Sequence, residues 1–330
     1  MYIRNVLISG LAAASTAQAY SNYTVREEDW TVPAPAPVKE KRTLAKVFGI
    51  FDGIFGGGGG KEPAQECPAV WTQISSTLTQ QFLADGQCTD AARAAIRSSF
   101  HDCFNGACDG SLILANECSN KENRGMERLC GNLANVASQT KVGVADLIQF
   151  AAAHAVKTCP GGPTIPVKVG RKDSSEANAL GVLPSGHANA KDLVGLFAQK
   201  GFSPYDLAAL IGAHTAAKQR FTDPSKAGSA LDSTVGTWDN KYYSETMRGR
   251  APFTLPSDKS LAQNPLTAGP FIAFAASKGM WDSAFVSAMV KMSMLGVENK
   301  GDLIDCTSAL PGGSKKRDVR SRNLFDRLKW

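Results

Sequence analysis

Apolar residues recur three and four positions apart through most of the stretch from 62 to 313, a spacing that predicts helices rather than strands. Nine segments carry it: Cys67–Leu83, Asp90–Phe104, Val144–Thr158, Ala190–Lys200, Pro204–Lys218, Trp238–Met247, Ser257–Leu261, Thr267–Lys278 and Trp281–Leu295. Thr89 stands where the second needs an N-cap. Ser203 before Pro204, with Asp206 at the third helical position, is a start signal for the fifth. Thr164–Gly170 reads as a short strand, and other strand signals are sparse. The pattern predicts a mainly α domain of about 250 residues without an internal repeat.

The ends break this pattern. Arg4, an apolar run from Val6 to Ala14, and Ala17-Gln18-Ala19 read as a secretory signal over 1–19; an N-terminal helix of the fold is the alternative. No later stretch reaches the roughly eighteen apolar residues that a membrane helix needs, so no transmembrane segment is expected. Residues 20–61 hold Pro33, Pro35, Pro37, the dibasic pair Lys41-Arg42 and the run Gly56 to Gly60. Such a composition does not offset its own ordering entropy, which leaves a pro-segment or a flexible linker. Asn22-Tyr23-Thr24 is the one clean glycosylation sequon. Residues 314–330 form a basic tail in which Val319, Leu324, Phe325, Leu328 and Trp330 share one helical face. That face suits a membrane surface or an acidic partner; a frayed, proteolysed tail is the alternative.

Charge sharpens the division. The 330 residues carry a formal +6, but 1–61 hold seven cations and five anions and 314–330 hold seven and two. The remaining 62–313 carry 22 cations against 23 anions, so the basic excess belongs to the ends and nucleic-acid binding is not expected. All eight cysteines fall inside 62–313. An even count behind a secretory signal predicts a disulfide framework in a secreted, extracellular protein, with about a hundred possible pairings. A zinc site is disfavoured because the chain has no paired C-x-x-C and its four histidines are scattered.

The candidate chemistry lies in two blocks. In Arg97-Ser98-Ser99-Phe100-His101-Asp102-Cys103, Arg97 and His101 are one helical turn apart. A base and a fixed cation on one face suit a proton transfer during which negative charge develops on a leaving oxygen. Asp102, Asp109 and Ser111, with carbonyls near Asn105 and Ala107, offer hard oxygen ligands for Ca²⁺ around a tight loop that Cys103–Cys108 could close; a metal-free Asp/Gly turn is the alternative. The second block centres on His214, which extends the apolar face of Leu207, Leu210 and Ile211 and by itself reads as a core histidine. Thr215, Asp232, Thr234 and Asp239, with the Thr237 carbonyl, are a second oxygen-rich set fit for Ca²⁺.

Taken together, R-x-x-F-H-D at 97–102, Ile211-Gly212-Ala213-His214-Thr215 and Leu255-Pro256-Ser257-Asp258 resemble the secreted haem peroxidases of plants and fungi, most closely the fungal lignin-type class. The resemblance spans Cys67 to Pro311 and implies a two-lobed helical fold with little β structure and haem b between the lobes. It casts His214 as the axial iron ligand, Asp258 as the carboxylate accepting the His214 ring N–H, and His101 as the distal base. Arg97 stabilises the departing oxygen, Asn123 orients His101, Phe100 flanks the haem and Pro184 lies at the substrate entrance. The implied cofactors are one haem b and two Ca²⁺. The implied bridges are Cys88–Cys159, as in the fungal class, and Cys103–Cys108, as in the plant class; Cys118–Cys130 and Cys67–Cys306 are the pairs left.

Three positions depart from the class. Ala209 stands where lignin-oxidising members carry a surface tryptophan, and Asp90, Ala94 and Arg220 stand where manganese-oxidising members carry three carboxylates. Leu231 replaces the usual proximal aromatic residue. Trp71, Trp238, Trp281, Tyr205, Tyr242 and Tyr243 are candidate electron relays. The expected function is a monomeric peroxidase that reduces hydrogen peroxide and oxidises small aromatic donors. A non-catalytic secreted binding module on the same scaffold is the rival, motivated by the basic tail and the incomplete substrate sites.

Overall fold

Eleven α-helices and four two-residue strands make up the described residues, 30–33 and 65–312, of the computed structural model. The expected signal, the sequon, the dibasic pair and the basic tail lie outside them. The first group comprises α1 (Val70–Phe82), α2 (Asp90–Asn105), α3 (Ser111–Leu114), α4 (Glu127–Thr140) and α5 (Val144–Thr158). Every residue from Val144 to Val156 is buried, so α5 is enclosed all round and serves as the axis on which α1, α2, α3 and α4 pack. The second group comprises α6 (Ala190–Gln199), α7 (Pro204–Ile211), α8 (Lys241–Arg248), α9 (Pro256–Gln263), α10 (Ala268–Ala276) and α11 (Lys278–Met292). Here α7 packs on α6, α10 and α11, and α8 on α9 and α10. The β content is slight: β1 (Leu83–Ala84) pairs with β2 (Gln87–Cys88), and β3 (Lys168–Val169) with β4 (Ile304–Asp305), both antiparallel. The mainly α expectation holds.

The two helices that carry the candidate chemistry begin as their sequences require. Thr89 Oγ1 accepts the Ala92 N–H at 3.2 Å and opens α2. At α7, Ser203 Oγ accepts the Asp206 N–H and Asp206 Oδ2 accepts the Ser203 N–H, a reciprocal box with Pro204 in the first turn. Its end differs from the expected Lys218. The α-helix stops at Ile211 and tightens into a 3-10 turn, Gly212–Ala216. Gly212 packs so closely on Tyr243 Oη and Trp281 Nε1 that a Cβ there has no room.

Other differences have local causes. Helix α4 was not expected; Gly131, Asn132 and Asn135 dilute its pattern, but Leu129, Leu133, Val136 and Ala137 bury one face. The Trp238 segment becomes helical only at Lys241, because Trp238 is committed to a stack on Trp281 with centroids 5.1 Å apart. Asp85-Gly86, both at positive φ, turn β1 into β2.

Four disulfides join Cys67–Cys306, Cys88–Cys159, Cys103–Cys108 and Cys118–Cys130 and leave no cysteine free among the described residues. The Cys88–Cys159 link closes a loop with a sequence separation of 71, worth roughly 4 kcal/mol in chain entropy. Part of the segment expected as pro-segment or linker is also tied down. Trp30 is buried edge-on against Phe82, its carbonyl accepts from Gln139 Nε2 at 3.2 Å, and the Val32 N–H donates to Gln139 Oε1 at 3.0 Å. These residues borrow the surface of α1 and α4 instead of building a core of their own. Among the described residues, no helix is long and apolar enough to cross a membrane.

Candidate active site

Helix α2 presents Arg97 and His101 from one face, and a loop before α4 closes over them. Arg97 Nε donates to His101 Nε2 at 3.0 Å, while its Nη1 and Nη2 donate to the Arg124 and Glu122 carbonyls, each at 2.8 Å. His101 Nδ1 lies 2.6 Å from Asn123 Oδ1. The orientation of that amide is fixed by its other end, because Asn123 Nδ2 donates to the Glu117 carbonyl at 2.8 Å. The oxygen of Asn123 therefore faces the ring, Nδ1 carries the proton, and the Nε2 lone pair is the acceptor of the Arg97 Nε–H. Burial, then the Arg97 charge, pushes the His101 pKa down to about 3. Burial also lowers that of Arg97, to about 10, which leaves the guanidinium charged at neutral pH. Phe100 is half-buried and stacks on Phe104, with centroids 4.8 Å apart.

His214 sits in the 3-10 turn beyond α7. Its Nδ1 lies 2.9 Å from Oδ2 of Asp258, a fully buried carboxylate on α9 whose Oδ1 accepts from Ser257 Oγ at 3.2 Å. Its Nε2 has no hydrogen bond among the described residues, and the side chain is 28% exposed. Tyr242 meets the ring edge-on at 5.9 Å. An imidazole anchored through one nitrogen by a carboxylate, with the other nitrogen free, is the arrangement of a metal-ligating histidine. Pro184 is half-buried in the loop before α6.

The two oxygen-rich loops are assembled in part. Asp102 is fully buried and accepts the Gly110 and Leu112 N–H groups, each at 3.2 Å; burial, then the Asp109 and Glu117 charges, pushes its carboxyl up to about 8. Asp109 accepts the Ser111 N–H at 3.1 Å, and Ser111 Oγ accepts from Asn178 at 2.8 Å. Asn105 Oδ1 is buried without a partner. Ala107 joins Asn105 to this loop. In the second loop Thr215 donates to Asp232 at 2.5 Å, Asp232 accepts the Thr234 N–H at 2.9 Å, and Thr234 Oγ1 is buried without a partner. Burial, then Asp239 and Glu245, pushes Asp232 up to about 6. The Thr237 N–H closes the turn onto the Thr234 carbonyl at 2.8 Å. Among the described residues no three His, Cys, Asp or Glu side chains gather on one point. Each loop offers instead a buried, raised carboxyl and an orphaned oxygen, which fit a hard cation.

Sequence reasoning missed Glu117. It is buried, accepts from Asn105 Nδ2 and the Asn178 N–H, and through its carbonyl fixes Asn123, so it links the first loop to the base. A lone acid in Ala115-Asn116-Glu117 carries no spacing signal. The departures also have structural form. The Asp90 carboxylate accepts from Arg93, Lys218 and Arg220; burial would raise its pKa, but Arg93 and Lys218 outweigh that and hold it below the usual value. Ala209 is fully buried and its carbonyl accepts from Trp281 Nε1 at 3.0 Å.

Comparison with known proteins agrees with this geometry. The model of the family described as Peroxidase matches residues 74–277, a span that includes Arg97, His101, Asn123, His214 and Asp258. The chain is 31% identical over 261 residues to a low-redox potential peroxidase of Taiwanofungus camphoratus, covering 73% of this chain and 77% of that protein. It is 30% identical over 288 residues to Peroxidase 64 of Arabidopsis thaliana, covering 73% and 89%. With manganese peroxidase 3 of Phlebia radiata it shares 28% over 271 residues, covering 72% and 75%. Two histidine networks within one matched span, together with relatives from both kingdoms, make this chain a member of the plant and fungal haem peroxidase family, enzymes that use hydrogen peroxide as oxidant.

Proposed function

We propose that the chain is a secreted, monomeric peroxidase that oxidises small phenolic or aromatic donors one electron at a time at the edge of a bound haem b. The observation that carries this reading is the pair of histidine networks, a neutral base held against a fixed cation and an anchored imidazole with an open nitrogen. The side chains fit the cofactor: His214 Nε2, which no group among the described residues takes, would bind the iron, and Asp258 holds its Nδ1–H. When bound, haem supplies the iron at which the peroxide O–O bond breaks and the oxidising equivalents that donors consume.

The chain's own residues do the rest. His101 Nε2 takes the proton from the inner peroxide oxygen and delivers it to the outer one. Arg97, held by the Glu122 and Arg124 carbonyls, stabilises the negative charge on the departing oxygen. Asn123 keeps Nδ1 protonated and so keeps Nε2 basic. Phe100 walls the distal side, and Pro184 borders the donor entrance. One Ca²⁺ is held by Asp102, Asp109, Ser111 and the Asn105–Ala107 backbone, and a second by Thr215, Asp232, Thr234, Thr237 and Asp239. Manganese oxidation is not part of the proposal, because three cations already hold Asp90. The four disulfides support an extracellular site of action.

Titrating the purified chain with haem is expected to give a Soret band that saturates at one haem per chain, and peroxide consumption that rises with added phenol. His214→Ala should abolish the band. A chain that gives no band, or consumes peroxide at a rate indifferent to phenol, overturns the proposal.

A further inference from the structure

Residues 30–33 lie before the span that the family model matches, and the chain holds them in a groove. Its walls are α1 and α4, which both pack on α5. Burial alternates along the segment, with Trp30 buried, Thr31 exposed, Val32 half-buried and Pro33 exposed, which is the period of an extended chain. The hydrogen bonds alternate too. From the α4 wall the Gln139 amide donates through Nε2 to the Trp30 carbonyl at 3.2 Å and accepts the Val32 N–H on Oε1 at 3.0 Å. These two backbone groups flank Thr31 on one side, where a neighbouring strand would pair, so one amide stands in for that strand. Asn135 Nδ2 donates to the same Trp30 carbonyl at 3.4 Å, and from the α1 wall Thr77 Oγ1 donates to the Thr31 carbonyl at 3.4 Å. The indole meets Phe82 edge-on at 5.7 Å, and Phe82 meets His154 of α5 at the same distance.

We propose that this groove is a docking site for an extended peptide, recognised by a tryptophan followed two residues later by a backbone N–H. Residues 30–33 are its ligand in cis, and cleavage at Lys41-Arg42 turns them into a separate, dissociable peptide. Among the described residues, every hydrogen bond that the segment makes is to a side chain, and none is to another backbone group. Three backbone groups and one deep aromatic anchor are the chemistry by which a surface takes a peptide, not that by which a core takes an element of its own. The groove also survives emptying. Gln139 is exposed and Asn135 is half-buried, so their amides turn to water when the segment leaves, and no polar group is stranded. The cutting signal Lys41-Arg42 begins eight residues past Pro33, on the stretch that joins the segment to α1. Uncut, the segment faces its groove at an effective concentration of about a millimolar. Once cut, its occupancy follows its own concentration and is lost on dilution. Maturation thus opens a peptide-binding surface on α1 and α4.

The probe is a labelled synthetic peptide of residues 28–36. Full-length chain carrying Trp30→Ala and Val32→Pro, which empties the groove, should bind it saturably in fluorescence anisotropy. The uncut native chain should bind it at least about tenfold more weakly, because its own segment competes. Gln139→Ala added to the emptied chain should cost about tenfold in affinity, and a peptide carrying Trp30→Ala should not bind. Native chain cut after Arg42 should lose its N-terminal piece on dilution and then take the probe as the emptied chain does. An emptied chain that takes no peptide, or takes the Trp30→Ala peptide equally well, overturns the inference. So does a cut chain that keeps its N-terminal piece through dilution. Should the double variant fail to fold, hydrogen exchange decides: the Val32 N–H should be protected in the native chain and exchange about tenfold faster in Gln139→Ala, and an unprotected native Val32 overturns the proposal. None of these readouts uses haem, so their failure leaves the peroxidase reading standing.

Discussion

His101 and His214 are both held through Nδ1, yet the groups that hold them differ by one full charge. His101 rests on the amide oxygen of Asn123 at 2.6 Å, and His214 on the carboxylate of Asp258 at 2.9 Å. A neutral acceptor fixes the tautomer and favours the protonated ring only weakly, so burial and the Arg97 charge dominate and His101 stays neutral. A buried carboxylate pulls the N–H toward itself and lends the ring anionic character, which strengthens its free nitrogen as a ligand. In the proposed function the partner on the hidden nitrogen thus decides what the other nitrogen does: one base, one ligand, from the same side chain.

Removing the base should have the largest effect. His101→Leu deletes both the proton carrier and the group that Arg97 faces, and the peroxide step should slow by roughly 10³–10⁴-fold in stopped-flow mixing. Asp258→Asn gives the proximal ring the neutral partner of the distal one. Haem retention or peroxide turnover should then fall about 10–100-fold, read by haem transfer to an acceptor protein and by steady-state rate. Unchanged haem retention and rate in Asp258→Asn would mean that the carboxylate only packs.

The reverse exchange is smaller at neutral pH and sharper in its pH profile. Asn123→Asp places a carboxylate on His101 Nδ1, and an opposite charge at that range raises a histidine pKa by about 1–3 units. From the native value of about 3, the pH below which Nε2 is protonated and the base is lost should move upward by that amount. The rate of the peroxide step, measured from pH 3 to 8, should therefore fall at a higher pH in the variant. An identical acid limb in both proteins would sever the link between the Nδ1 partner and the base.

How much of this was legible in the sequence follows from distance along the chain. Arg97 and His101 are one turn apart, and helical geometry alone puts them on one face. The start signals at Thr89 and Ser203 are local too, and both form as read. His214 and Asp258 lie 44 residues apart, so their bond was accessible only through resemblance to a family. Glu117 was invisible because its role runs through a backbone carbonyl, which no residue type advertises. The end of α7 was overrun because periodicity continues past Ile211, while the stop comes from Tyr243 and Trp281 crowding Gly212, both distant in sequence. Trp30 was hidden by its neighbours, since a proline-rich composition says nothing of one indole finding a cleft between α1 and α4.

A third histidine gives the comparison its control. His154, also fully buried, has both nitrogens satisfied: Nε2 donates to the Ser75 carbonyl at 2.9 Å and Nδ1 accepts from Thr158 Oγ1 at 3.1 Å. Its hydrogen-bond partners and its ring neighbours Phe82 and Phe150 belong to neither network, and His154→Gln should leave the peroxide step unchanged. Its effect belongs to stability. Burial lowers its pKa to about 4, against 6.5 for an exposed ring. Between these values the unfolded chain binds a proton that the folded chain refuses, so stability is fully present above about 6.5 and is lost as pH falls toward 4. A shift of that size corresponds to a loss of about 3 kcal/mol once the pH is below both values. Urea midpoints should fall less steeply as pH drops across this window in His154→Gln than in the native chain. His101 titrates lower still and contributes in both proteins, so the difference between the two slopes isolates His154. Equal slopes would show that its ring is never asked to ionise in the unfolding reaction.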